Sequence, residues 1–408
     1  MDAVAFFEVG LSFLRLLKLR HDINYKKKHF RRWWVKPHIQ TCIRNDYGAF
    51  STLFCYFKMH DHEEFYKLYR MSVPQFDKLY EILKTKLERS SAVREPLPPQ
   101  LRFAITLHFL AHGDSIETLC KLYYIGKSTV YGILSDVCQD IWDILSPVYL
   151  PEKSVDDWKE IAIDYEKKCN FPHCLGSIDG KHIRITKPPN SGSAFFNYKK
   201  YYSFVLMAIC DAHYRFTWID VGDYGSLNDA SVFGATGLAQ ELEEKRLPLP
   251  EPECLPGTQS SIPYFLIGDE AFKLRPYMMR PYPRRLVTTS REELFNYCLS
   301  STRMRIEDSL GVLVGKWRVF HKALGFNLST SVNIVKAAVC LHNCLITSEL
   351  NDAEERKKYL NKEILKNISK NRNMEDSRNE ENKENETCDS DGWKIRDILT
   401  SYLENRKK

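Results

Sequence analysis

The 408-residue sequence has no apolar run of about 18 residues, the length needed for a membrane-spanning helix. Its twelve cysteines include no Cys-x-x-Cys pair. The pattern is expected of thiols kept reduced inside a cell, where Cys serves as a small apolar residue. The tightest group, Cys340-Leu-His342-Asn-Cys344, has no second pair at a zinc-site distance, so a helix packing its thiols is expected there. The first 17 residues, MDAVAFFEVGLSFLRLL, lack a basic leader and a small-residue cleavage site, and Glu8 interrupts them. An amphipathic helix is expected rather than a secretory signal. A cytosolic or nuclear protein is therefore expected, with no membrane association.

Charge is unevenly spread. Residues 1–45 hold ten Lys/Arg against three acids, whereas residues 371–391 hold eight acids against three bases. A basic arm suits a polyanion partner, and an acidic tail suits a solvated spacer. The arm includes KKKHFRRWWVKPH (Lys26–His38). Its Lys27, Lys28, Arg31 and Arg32 are candidate phosphate contacts, with Trp33 and Trp34 either stacking on bases or anchoring a core. Residues 351–370 read as helical and charged. Residues 371–392 carry too few apolar side chains to offset ordering entropy, and a disordered linker is expected. Helical spacing returns from Trp393 to Leu403, a short helix that docks on the body or on a partner.

The apolar fraction, 43%, is ample for two or three cores. Residues 1–93 read as helical: Phe65, Leu68, Tyr69, Phe76, Leu79, Tyr80 and Leu83 recur at three- to four-residue spacing, split by Pro74 with Ser72 as a cap. Arg94-Glu-Pro-Leu-Pro-Pro99 marks a boundary. Three helices follow in residues 94–150. The last two are separated by a short turn at Gly126, with Asp114-Ser115 and Ser128 as caps. Helix, short turn, helix is the pattern of a helix-turn-helix, whose second helix reads DNA with its first residues. Lys127, Ser128, Thr129 and Tyr131 would be that contacting set, although such trihelical units are also purely structural.

From residue 151 to 350 the pattern becomes α/β with a mixed sheet. Strands are expected over Cys174–Ile178, His182–Thr186, Tyr202–Cys210, Arg215–Val221 and Tyr264–Ile267. One helix is expected to run from Asn228-Asp229 toward Leu242. Helical regions are expected over about Glu292–Phe320 and Val332–Leu350. Three acids stand at telling places. Asp179 falls where two strands meet at an Asp-Gly hairpin turn. Asp269 follows a buried strand, where ligands tend to sit. Glu307 is about 100° round its helix from Ile306, at the edge of the apolar stripe. Three oxygen donors from separate elements suit Mg²⁺ or Mn²⁺, and two such ions can drive phosphodiester cleavage. Each acid also has an ordinary reading: a turn residue, a cap, and an i,i+4 partner of Arg303.

The motifs carry a family resemblance. Leu175-Gly-Ser-Ile-Asp179-Gly-Lys-His182-Ile183 resembles the first-aspartate motif of PIF/Harbinger-type DDE transposases, a group that includes Harbinger-transposase-derived nucleases. Tyr198 to Asp211 resembles the strand that follows. Gly225-Ser226-Leu227-Asn228-Asp229-Ala230-Ser231 resembles the Gly-Ser-x-His-Asp-Ser stretch, with Asn228 where His is usual. Gly268-Asp269-Glu-Ala-Phe272 resembles the second-aspartate motif. Phe295-Asn296, Arg303, Glu307 and the run Gly311–Arg318 resemble the glutamate motif in a loose form, and Ala337–Asn343 resembles the helix after it.

The resemblance covers roughly residues 30 to 345. It implies an RNase H-like fold, a divalent metal held by Asp179, Asp269 and Glu307, and cleavage of DNA by a two-metal DDE mechanism with strand transfer. Lys181, Lys316 and Arg318 are carried over as DNA contacts, and His182, Asp229 and Arg303 as residues supporting the acids. It also implies a Myb/SANT-like partner protein, and a homo-oligomer is compatible with it. The alternative is a domesticated protein that binds DNA or a partner without catalysis.

Overall fold

The computed structural model describes residues 15–18, 33, 35–90, 95–351 and 389–407. Lys27, Lys28, Arg31, Arg32 and Trp34 lie outside the described residues, as does nearly all of the expected acidic linker.

Helices α1 (Thr41–Tyr47), α2 (Cys55–His60), α3 (His62–Tyr69) and α4 (Val73–Leu87) open the described chain. Ser72 caps α4 in a reciprocal capping box with Gln75, so Pro74 sits harmlessly in the first turn. Helices α5 (Pro99–His112), α6 (Ile116–Tyr123) and α7 (Lys127–Tyr149) follow. Ser115 caps α6, whereas Asp114 instead meets His108 Nε2 at 3.1 Å. The turn between α6 and α7 differs from expectation. Tyr124 takes the left-handed position (φ 53°), Gly126 is the N-cap, and Ser128 lies inside the helix.

After α8 (Val155–Cys169) comes the sheet, with strand order β3-β2-β1-β6-β7. β1 (Cys174–Arg184), β2 (Ser203–Cys210) and β3 (Phe216–Tyr224) pair antiparallel. β6 (Phe265–Ile267) runs parallel to β1, and β7 (Met278–Met279) parallel to β6. Here the expected hairpin at Asp179-Gly180 is corrected: β1 is one continuous strand through both residues, paired with β2 along Ser177 to Arg184. Eight successive residues of β2 supply the partner groups, so nothing forces the chain to turn at Gly180. β4 (Glu253–Cys254) and β5 (Ser261–Ile262) form a separate two-stranded excursion.

Every residue of β2 is buried, because the sheet is covered on both faces. Phe204, Leu206 and Ala208 enter one core with the N-terminal helices, while Val205, Met207 and Ile209 enter the other. The single helix expected after Asn228 is two: α9 (Asp229–Gly234) and α10 (Gly237–Glu243), with Thr236 capping the second. Helix α11 (Ser290–Lys316) opens with a Thr289–Glu292 capping box and crosses the sheet. It buries Phe295 and Leu299 in one core and Ile306, Leu310 and Leu313 in the other. Helix α12 (Leu328–Asn351) is almost wholly buried. In it Cys340 and Cys344 pack in the core and His342 Nε2 meets the Tyr214 carbonyl at 2.9 Å, so the Cys/His group is a packing feature. No helix among the described residues is long and apolar enough to cross a membrane.

The C-terminal helix α13 (Ser390–Lys407) begins three residues earlier than expected and docks on the body. Its fully buried Arg396 lies 3.9 Å from the Tyr282 ring centroid and 4.2 Å from that of Trp393.

Candidate active site

Parallel pairing sets the first two acids side by side. Ser177 of β1 is in register with Ile267 of β6. Asp179, midway along β1, and Asp269, just past the carboxyl end of β6, each follow two residues later. Asp269 holds its own turn: Ala271 N–H donates to its Oδ1 at 3.0 Å. Glu307 comes from α11. Ser177 Oγ lies 3.3 Å from the Thr302 carbonyl, which ties that helix to β1. Thr302 and Ile306 are buried, and their neighbours Arg303 and Glu307 stand at the edge of the stripe toward the strand ends.

Asp229 joins them. Asn228 caps α9 by accepting from Ser231 N–H at 2.8 Å, which places Asp229 in the first helical turn. A Cβ built at Gly180 would fall 2.6 Å from Asp229 Cγ. Glycine is therefore required at 180 by the close approach of a carboxylate, not by a turn.

Asp179 and Asp229 are raised by burial and by the acids around them. Burial pushes the Asp179 carboxyl up to about 7; Arg303 opposes the rise, and Asp229, Asp269 and Glu307 add to it. Burial and the Asp269 charge push Asp229 up to about 6, against Lys199. Such mutual repulsion is what a divalent cation relieves, and carboxylate oxygens are its preferred donors. The donor set thus fits Mg²⁺ or Mn²⁺. Among the described residues, however, no three His, Cys, Asp or Glu side chains converge to metal-binding distance. Arg303 stands among them instead: its guanidinium pairs with Glu307 and lies 4.0 Å from Asp179 Oδ2.

The remaining sequence candidates fall in different places. His182 points into a small polar network: its Nδ1 is 3.0 Å from Ser203 Oγ, which also accepts from Asn197 Nδ2 at 2.8 Å. Burial, then Lys199 and Lys181, hold its ring neutral with a pKa near 4. Lys181 is half-buried beside it. Lys127, Ser128, Thr129 and Tyr131 are all exposed at the start of α7. Arg318 is exposed as well. Lys316 is the correction. It is buried at 6% exposure, its Nζ lies 3.3 Å from Tyr66 Oη, and desolvation lowers its pKa to about 8. The last turn of α11 packs inward there, so Lys316 does not face a DNA surface. Lys199, Asn197 and Ser203 were missed, because their place beside the acids depends on the path of the loop before β2.

Residues 178–343 match the DDE superfamily endonuclease family. That span holds Asp179, Asp229, Asp269 and Glu307. Over that span the chain is similar to DDE superfamily endonucleases. It is 25% identical to "Protein ALP1-like" of Arabidopsis thaliana, over 71% of this chain and 72% of that one. It is 21% identical to "Putative nuclease HARBI1" of Xenopus laevis, over 69% of this chain and 78% of that one. The Mus musculus protein of the same name is 22% identical over 65% and 72%. No solved structure matches this chain.

Proposed function

We propose that this chain is a divalent-metal-dependent DNA nuclease of PIF/Harbinger type, with Asp179, Asp269 and Glu307 as its catalytic carboxylates. The observation that carries this reading is the placement of Asp179 and Asp269 on adjacent parallel strands, each two residues past the Ser177–Ile267 pair, with Glu307 reaching them through Arg303. The strand order, three antiparallel strands extended by two parallel ones, supports an RNase H-like domain over residues 151–350. The three carboxylates would hold the metals in a two-metal arrangement, with Asp229 next to them. When bound, such ions activate the attacking oxygen and stabilise the leaving one.

The chain's own residues do the rest. The β1–β6 pairing sets the spacing of Asp179 and Asp269. To hold a metal, Glu307 would have to leave Arg303 and Asp179 would have to be ionised. A guanidinium freed in this way would suit a phosphate as a planar, multi-donor cation. At the other end, Lys127, Ser128, Thr129 and Tyr131 on α7 would contact DNA as a helix-turn-helix. Arg318 and the basic arm would add phosphate contacts. A nuclear location, a Myb/SANT-like partner and a homo-oligomer belong to the same reading. The Arg303–Glu307 pair also favours a second reading, a non-catalytic DNA-binding or partner-binding protein whose acids are held by an internal cation.

The deciding experiment is nicking of supercoiled DNA in Mg²⁺ or Mn²⁺. The wild type is compared with Asp179→Ala, Asp269→Ala and Glu307→Ala, with folding checked by circular dichroism. Each variant is expected to lose about 10³-fold or more, the scale of several kcal/mol of charge stabilisation. Equal cutting by wild type and variants, or no cutting even with a Myb/SANT-like partner added, overturns the catalytic assignment.

A further inference from the structure

Residues 181–202 run from the end of β1 through the following loop to the start of β2. They carry five bases (Lys181, Arg184, Lys187, Lys199 and Lys200) and no acid. Five aromatic residues are interleaved with them: Phe195, Phe196, Tyr198, Tyr201 and Tyr202. This cationic, ring-rich stretch borders the carboxylate cluster. Tyr198 stands edge-on to His182 at 5.5 Å between ring centroids, and His182 is three residues beyond Asp179 on β1. Lys199 is near enough to act on Asp229.

The loop is built rather than loose. Buried Asn197 donates to Ser203 Oγ at 2.8 Å and accepts from Tyr201 N–H at 3.2 Å. Ser203 N–H donates to the Phe195 carbonyl at 2.8 Å, and Ser226 N–H to that of Ala194 at 3.2 Å. Phe195 is buried with its ring 5.0 Å from Tyr224. The inward residues thus anchor the loop while two rings stay outside: Phe196 is 42% exposed and Tyr198 is 68% exposed. Arg184 and Lys187 already present cations against rings, over Tyr201 at 4.3 Å and Tyr202 at 5.6 Å. Large rings held rigidly in water beside exposed cations mark a contact surface. Phosphates alone would call for the cations without the rings. Ring faces are useful to a base only when it has left its stack.

We infer that residues 181–202 form a platform for an unpaired DNA nucleotide beside the phosphodiester that the acids address. Phe196 and Tyr198 take the base, and Lys187, Lys199 and Lys200 take the flanking phosphates. The inference rests on the DNA-nuclease reading and adds that the strand is opened at the site.

The test uses the full chain in EDTA, so that binding is read without cutting. Oligonucleotides carrying 2-aminopurine are titrated as single strand and as duplex. The wild type is expected to bind the single strand more tightly and to quench its fluorescence. Tyr198→Ala and Phe196→Ala are each expected to weaken that binding by about tenfold, while Tyr198→Phe retains it. Lys199→Ala is expected to lower the salt slope by about 0.7. Equal affinity for duplex and single strand, single-strand binding unaffected by Tyr198→Ala, or no single-strand binding overturns the platform. Nicking by the Asp179→Ala variant is scored separately. If that variant cuts like wild type while the ring variants lose binding, the catalytic reading fails and the platform stands. If it fails to cut while the ring variants bind normally, the platform alone fails.

Discussion

Asp229 lies directly over the backbone of Gly180: a methyl group added at Gly180 would sit 2.6 Å from the Asp229 Cγ. The glycine beside the first catalytic candidate is therefore part of the site. It lets a carboxylate from α9 approach a strand from which any other side chain would exclude it.

Gly180→Ala is accordingly expected to displace Asp229 and to destabilise the fold by roughly 1–3 kcal/mol, the usual cost of overpacking. The same substitution in an Asp229→Gly background is expected to cost much less, since the overlapping group is gone. Thermal melts of the four proteins check this. Additive costs would mean that the two positions do not touch.

The acid cluster predicts a pH dependence. The folded-state pKa of Asp179 is about 7, above the ordinary carboxyl value of about 4. Between those values the folded protein holds a proton that the unfolded chain has released. Asp229, raised to about 6, acts in the same direction. Their contribution therefore favours the fold at low pH and is lost as pH rises from about 4 to about 7. The metal-free protein is expected to melt several degrees lower at pH 8 than Asp179→Asn does, with the gap closing toward pH 4. Mn²⁺ at pH 8 should raise the wild-type midpoint more than the variant's. A wild-type midpoint equal to that of Asp179→Asn at both pH values would refute the burial of charge.

Lys316 was expected on a DNA surface and lies instead against Tyr66 in the interior. Lys316→Met, which keeps the apolar stem and removes the charge, is expected to leave DNA affinity and its salt slope unchanged while altering stability by less than about 1.5 kcal/mol. Lys316→Ala removes packing too and should cost about 2–4 kcal/mol. Filter binding across salt concentrations, paired with denaturant titration, separates these outcomes. A salt slope that falls by about one in the Met variant would return Lys316 to the DNA surface.

The docking of α13 depends on Arg396, whose guanidinium lies between the Tyr282 and Trp393 rings and whose Nη1 is 3.2 Å from the Pro281 carbonyl. Arg396→Ala is expected to cost about 2–4 kcal/mol and to expose the C-terminal helix to limited proteolysis. Arg396→Lys should recover little of this, because an ammonium cannot reproduce a planar group stacked on two rings. Proteolysis rates indistinguishable among the three proteins would refute the latch.

The acids were visible in the sequence because each stands beside a local signal: Asp179 at the end of an apolar run, Asp269 after a buried strand, Glu307 next to a helical stripe. The caps Ser72 and Ser115 were legible for the same reason, since capping is a matter of a few neighbouring residues. The Asp-Gly pair misled. Its turn preference is local and weak, and eight paired residues of β2 override it. The turn at 124–126 misled in the other direction. Tyr124 accepts the left-handed conformation that glycine would take more cheaply, because its neighbours Tyr123 and Ile125 are buried on either side.

By itself the sequence determined the change from a helical region to an α/β one and the separation of a basic arm from an acidic tail. These follow from periodicity and charge along the chain. Only the tertiary structure decided which groups share one space. It set Arg303 beside Asp179, brought Asp229 onto Gly180, and folded a loop of rings and lysines beside them. It also buried Lys316 and seated α13 on the body. Each of these is a contact between residues far apart in the chain, and such contacts depend on strand register and helix packing, which no local pattern encodes.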